Sequence, residues 1–186
     1  MNSKKKVILA AVAFVLVLGI GAILYPYLSD HFQLTSPLTQ QEDTTETRTP
    51  APNVSFEDSN GNIVQLDDFK GKIIVMNFWS SQCNPCKMEM PDMQKAYEAY
   101  QGEVEFVMIN VLDAMYDTKE TANAYIAENN YTFPVYFDTQ FNAIQTYGVN
   151  SFPTTYVIDQ EGNLYGRAIG VLSYEALTDA LDDLLA

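Results

Sequence analysis

The sequence predicts an α/β domain in which a central mixed sheet is flanked by helices on both faces. Three observations lead there. The near-continuous apolar runs at 72–78 and 104–111 have the composition of strands covered on both sides. Each is followed by a helical segment, so strand and helix alternate. The chain then closes with an antiparallel strand pair and a last helix, which makes the sheet mixed.

The elements follow in order. Residues 54–56 and 63–66 flank Ser59-Asn60-Gly61-Asn62, whose Asn-Gly dipeptide signals a hairpin turn. Residues 72–78 form the central strand. From Asn84 to about Gln101 a helix is expected, with Met90, Met93, Ala96, Tyr97 and Tyr100 at three- and four-residue steps. Pro91 should kink it. A second buried strand at 104–111, a helix at 118–129, a short strand at 133–137 and a short helix at 141–147 come next. Strands at 154–158 and 164–169 flank the Gln160-Glu161-Gly162-Asn163 turn. A helix at 174–185 places Leu177, Leu181 and Leu184 on one side.

Ahead of this domain, assigned to 53–186, the chain reads differently. Lys4, Lys5 and Lys6 precede 22 uncharged, mostly apolar residues at 7–28. At about 1.5 Å per residue such a helix spans the roughly 30 Å hydrocarbon core of a bilayer. The lysines put the N-terminus in the cytoplasm and the rest outside. A cleaved signal peptide is the alternative, with Gly19-Ile20-Gly21 before Ala22 as a weak cleavage site. The run exceeds the usual apolar region of about 7–15 residues, and an anchor over 1–29 fits better. Residues 30–52, rich in Thr, Gln, Ser, Pro and Glu, read as a flexible extracytoplasmic stalk.

Charge and residue counts narrow the chemistry. The net charge of −14 falls entirely on 53–186, which carries 6 Lys/Arg against 20 Asp/Glu. Nucleic acid is an improbable partner for such a surface. The single histidine, His31, lies outside the domain, so His-based catalysis and His-rich metal sites have no residues to draw on. The only two cysteines are Cys83 and Cys86, at the handover from the central strand to a helix. A Cys-x-x-Cys there marks a thiol–disulfide centre.

Cys83 falls at the helix start, where unpaired N–H groups and the helix dipole favour an anion. It is the expected nucleophile, and Cys86, one turn on, the resolving thiol. Pro85 suits the first turn because its missing N–H has no helical partner there. A purely structural disulfide closing so short a loop would restrict the unfolded chain little. Zinc needs about four ligands, which these residues cannot supply alone. No cofactor or metal is expected. Met88, Met90 and Met93 are expected to fill core gaps, with a deformable substrate surface as the second reading.

Four motifs in order then resemble the membrane-anchored, extracytoplasmic thioredoxin-like proteins of the TlpA/ResA type. They are Leu66-Asp67-Asp68-Phe69-Lys70-Gly71-Lys72; Asn77-Phe78-Trp79 leading to Cys83-Asn84-Pro85-Cys86-Lys87; Glu89-Met90-Pro91; and Tyr147-Gly148-Val149 leading to Phe152-Pro153-Thr154-Thr155. The resemblance covers about 54–186. It implies a thioredoxin-like fold with an N-terminal hairpin and a central helix–strand insertion at about 115–137.

It also implies roles. Glu89 matches a partly buried glutamate that helps take the proton of the resolving cysteine, and Asn77 stands where thioredoxins carry a buried acid. Pro153 matches a cis-proline beside the dithiol, which leaves the Phe152 carbonyl free to bond an incoming peptide. Trp79 is expected to pack beside the disulfide. The implied activity is reduction of disulfides in exported proteins, such as the haem-binding motif of apocytochromes c during cytochrome c maturation, or surface redox-repair proteins. The implied electron donor is a membrane thiol carrier of CcdA type. A disulfide-donating oxidase is the alternative. A Sco-type copper chaperone would need a Cys-x-x-x-Cys and a domain histidine, which the sequence lacks. A redox-inert binding module would not need Cys83 at all.

Overall fold

A computed structural model of the chain describes residues 19–20, 38–40, 48–112 and 117–186. The chain divides into two units, Met1–Leu34 and Thr35–Ala186. Of the first unit only Gly19 and Ile20 are described, both helical. The expected anchor at 7–28 otherwise lies outside the described residues, among which no helix is long and apolar enough to cross a membrane.

In the second unit the apolar run after Lys72 becomes the middle of an eight-stranded mixed sheet. Its order is β1 (Thr39–Gln40), β8 (Leu164–Ile169), β7 (Thr154–Ile158), β4 (Ile73–Trp79), β5 (Val104–Asn110), β6 (Val135–Phe137), β2 (Ser55–Glu57), β3 (Ile63–Gln65). The pairs β4–β5 and β5–β6 are parallel and the others antiparallel. Among the described residues four α-helices accompany it: α1 (Asn84–Ala99), α2 (Lys119–Glu128), α3 (Asn142–Thr146) and α4 (Tyr174–Leu185). This is the thioredoxin-like arrangement, with α2 and β6 as the central insertion.

Every residue of β4 is buried, and alternation sends its side chains to two cores. Ile73, Val75 and Trp79 meet Met90, Met93 and Ala96 of α1, Ala122 of α2 and Leu177 and Leu181 of α4. Ile74, Met76 and Phe78 meet Phe56, Leu66, Ala143, Tyr147 and Tyr156 on the other face. Each such side chain contributes roughly 1.5–3 kcal/mol on burial, so the strand before the cysteines is held from both sides.

Two expectations change here. Residues assigned to the stalk are bonded to the domain. Thr39 and Gln40 pair with Arg167 and Gly166, and Leu38 packs against the core. The Leu164 N–H donates to the Thr49 carbonyl and the Ala51 N–H to that of Gly162, both at 2.9 Å. Arg48 pairs with Asp159, which is 2% exposed, at 2.8 Å. An edge strand offers unpaired backbone groups to any segment, however polar its side chains. The helix α1 runs through Pro91 to Ala99, with Pro91 on its exposed face. Second, Met90 and Met93 are buried as core residues, but Met88 is 55% exposed.

Candidate active site

β4 delivers the chain to the site. After Trp79, the turn of Ser80, Ser81 and Gln82 leads into α1, whose N-cap is Cys83. The Cys83 Sγ accepts the Cys86 N–H at 3.1 Å, and the Cys83 N–H donates to the Ser80 carbonyl at 3.2 Å. Cys83 and Cys86 form a disulfide with a Cα–Cα separation of 5.2 Å. Pro85 occupies the first turn and is exposed. The two sulfurs are not equivalent, because Cys83 is half-buried and Cys86 fully buried. An incoming molecule meets Cys83.

Beneath the disulfide lies a buried polar cluster. Glu89, one helical turn beyond Cys86, is fully buried. Its Oε1 accepts from Asn77 Nδ2 at 2.7 Å and its Oε2 from the Leu172 N–H at 3.0 Å. Asn77 Nδ2 also donates to Thr155 Oγ1 at 3.0 Å, while its Oδ1 has no partner. Burial is the largest influence on Glu89 and raises its pKa, the two hydrogen bonds lower it, and the net effect pushes it up to about 8. At neutral pH it is mostly a neutral acid. The resemblance singled out Glu89 and Asn77, and the fold brings them into contact.

Trp79 is fully buried in the same core cluster as Cys86, against Tyr125 of α2 at a ring separation of 6.1 Å. The Phe152–Pro153 peptide bond is cis. The β4–β7 register pairs Phe78 with Thr154, which puts Pro153 beside the end of β4, where the cysteine turn begins. Phe152 is half-buried and packs against both cores. His31 lies outside the described residues.

One residue at the site went unread in the sequence. Asp117, from the insertion, is 1% exposed and accepts hydrogen bonds from Ser80, Ser81, Asn110 and Thr121. The only local hint is an acid just before Thr118, the N-cap of α2. The serines it holds lie 36 and 37 positions away, a pairing that periodicity cannot show.

An exposed-side sulfur at a helix N-terminus, a buried partner one turn on and a buried acid beyond it suit thiol–disulfide exchange. Comparison with known proteins agrees. Residues 47–167 match the AhpC/TSA family. The chain is 33% identical to the thiol-disulfide oxidoreductase ResA of Bacillus cereus over 178 residues, 96% of each chain. It is also 33% identical to ResA of Bacillus subtilis over 133 residues, 71% of this chain and 72% of that one. Among solved structures, a DsbF homologue from Corynebacterium diphtheriae superposes with a TM-score of 0.69 at 28% identity, covering 80% of this chain and 93% of the other.

Proposed function

This chain belongs to the AhpC/TSA family and is a thiol–disulfide oxidoreductase of the ResA type, and from that premise we propose that it reduces disulfides in exported proteins. Cys83 is the nucleophile. In the reduced enzyme its thiolate attacks a substrate disulfide, forming a mixed disulfide and releasing one substrate thiolate, which takes up a proton. Cys86 then attacks the Cys83 sulfur, releasing the second substrate thiol and closing the Cys83–Cys86 bond.

The observation that carries this reading is the burial of Cys86 together with Glu89. A fully buried thiol cannot hand its proton directly to bulk water. Burial has pushed the Glu89 carboxyl up to about 8, so its ionised fraction accepts that proton at far smaller cost than an ordinary carboxylate would. Asn77 serves both forms. Its NH2 donates to the carboxylate. Turned over, its Oδ1 accepts from the protonated acid. The Phe152 carbonyl at Pro153 is the edge on which an incoming peptide docks.

Direction, location and donor extend the resemblance. The protein sits in the cytoplasmic membrane through 7–28, with the N-terminus inside and the catalytic domain outside. Electrons reach Cys83–Cys86 from a membrane thiol carrier of CcdA type. Apocytochromes c and surface redox-repair proteins are the substrate classes. The test is single-turnover reduction of a disulfide-bonded Cys-x-x-Cys-His peptide by the reduced protein. Transfer of two electrons per chain is expected, and none from Cys83→Ser. Equal activity in that variant would overturn the proposal.

A further inference from the structure

Asp117 is a buried carboxylate for which the exchange steps have no use. Its Oδ2 accepts from Ser80 Oγ at 2.8 Å, the Ser81 N–H at 2.6 Å and Asn110 Nδ2 at 3.0 Å. Its Oδ1 accepts from Ser81 Oγ at 2.7 Å and Thr121 Oγ1 at 2.8 Å. All five donors are neutral groups. Burial alone would raise its pKa, but these bonds hold it below the usual carboxylate range, so it is an anion at neutral pH. It is 1% exposed, so water screens it poorly.

The bonds reach toward the dithiol. Ser80 Oγ gives its proton to Asp117 and accepts the Gln82 N–H at 3.1 Å. The Ser80 carbonyl accepts the Cys83 N–H at 3.2 Å. Ser81 stands two residues before Cys83, so their Cα atoms are at most about 7 Å apart. The anion is therefore fastened to the turn that presents the reactive sulfur.

We propose that Asp117 is a positioning residue of the dithiol: its carboxylate fixes the turn of Ser80, Ser81 and Gln82, and its charge disfavours the Cys83 thiolate, holding the pair toward the reducing side. A nearby anion opposes ionisation of a thiol. Only the reduced form has a thiolate to lose, so the charge favours the disulfide and makes the dithiol a stronger reductant. In exchange with glutathione, the oxidised pair and two thiols give the dithiol and one glutathione disulfide, a transfer of two electrons and two protons. Asp117 draws that equilibrium toward the oxidised protein. The inference rests on the reductase reading and deepens it, since it assigns the central insertion a part in setting the potential.

The test equilibrates the full-length chain in detergent with glutathione buffers at about pH 9, where a thiol of the ordinary value near 8.5 is mostly thiolate and the charge acts on it, and follows Trp79 fluorescence. Asp117→Asn keeps the shape, because the Ser81 and Thr121 hydroxyls can turn to accept from the new NH2. It should shift the equilibrium about tenfold toward the dithiol, a rise of about 30 mV for a two-electron couple. Should that variant not fold, Thr121→Lys, at an exposed position, sets an ammonium beside the intact carboxylate. It should move the equilibrium the same way, and Thr121→Gln should not. Asp159→Asn, a buried carboxylate at the β7–β8 turn, should leave it unchanged. Ser80→Ala keeps the charge but cuts two bonds, to Asp117 and to the Gln82 N–H, and should slow alkylation of reduced Cys83 at least about fivefold, the weight of one net hydrogen bond or more.

Wild-type equilibrium in Asp117→Asn, or equal effects of Thr121→Lys and Thr121→Gln, would overturn the electrostatic part. A wild-type alkylation rate in Ser80→Ala would overturn the positioning part. The wild-type potential by itself tests the reductase reading, and only differences between variants test Asp117.

Discussion

Glu89 makes the folded protein sensitive to pH. Its carboxyl titrates near 8 when folded and near 4.5 as an ordinary glutamate. Between those values the native state holds a proton that the unfolded chain has lost. The stability tied to that proton is complete below about pH 4.5 and falls by up to about 1.4 kcal/mol per pH unit until pH 8. Urea midpoints of the wild type should therefore drop between pH 5 and pH 8, with a much smaller drop in Glu89→Gln. Parallel curves for the two proteins would mean that Glu89 is ionised in the fold. The same variant should slow closure of the Cys83–Cys86 bond by about 10²-fold, measured by single-turnover kinetics. Cys86→Ser should stall at the mixed disulfide, visible as a covalent adduct on non-reducing gels. The cysteines were legible as a Cys-x-x-Cys at a helix start, and Glu89 only through the family resemblance. Asp117 was not, since its partners come from β4, β5 and α2 and meet only in three dimensions.

At the scale of elements, β4 and α1 were legible because burial writes itself into composition: an unbroken apolar run for one, three- and four-residue spacing for the other. The segment from Arg48 to Pro52 was not, because its attachment uses backbone groups, the same in every residue. The bonds of Thr49 and Ala51 and the Arg48–Asp159 pair make it part of the domain. A fragment starting at residue 53 should accordingly be less stable than one starting at 48. The expected difference is about 3–4 kcal/mol by urea unfolding, the sum of three net hydrogen bonds, the third from the Tyr147 hydroxyl to the Pro52 carbonyl, and a partly exposed ion pair. Equal midpoints would show these contacts to be dispensable. Met88 teaches a related lesson. Its neighbours Met90 and Met93 keep the helical spacing of the core, and Met88 breaks it, which leaves it exposed.

Over the whole molecule, the sheet carries one reactive sulfur at the end of its central strand and keeps the other inside. The two cores fix β4, the insertion grips the turn that follows it, and Glu89 waits beneath. In the proposed exchange, the excess of acids over bases on 53–186 would favour neutral or basic substrates. That organisation serves exchange in either direction, and the poise of the dithiol decides which. The direct test is the reduction potential of the Cys83–Cys86 pair, read through Trp79, the only tryptophan, in defined thiol buffers. A value at or below about −230 mV, in the range of glutaredoxin and thioredoxin, is the predicted result and fits a reductase. A value above about −150 mV, toward the oxidant DsbA, would contradict it and make the protein a disulfide donor.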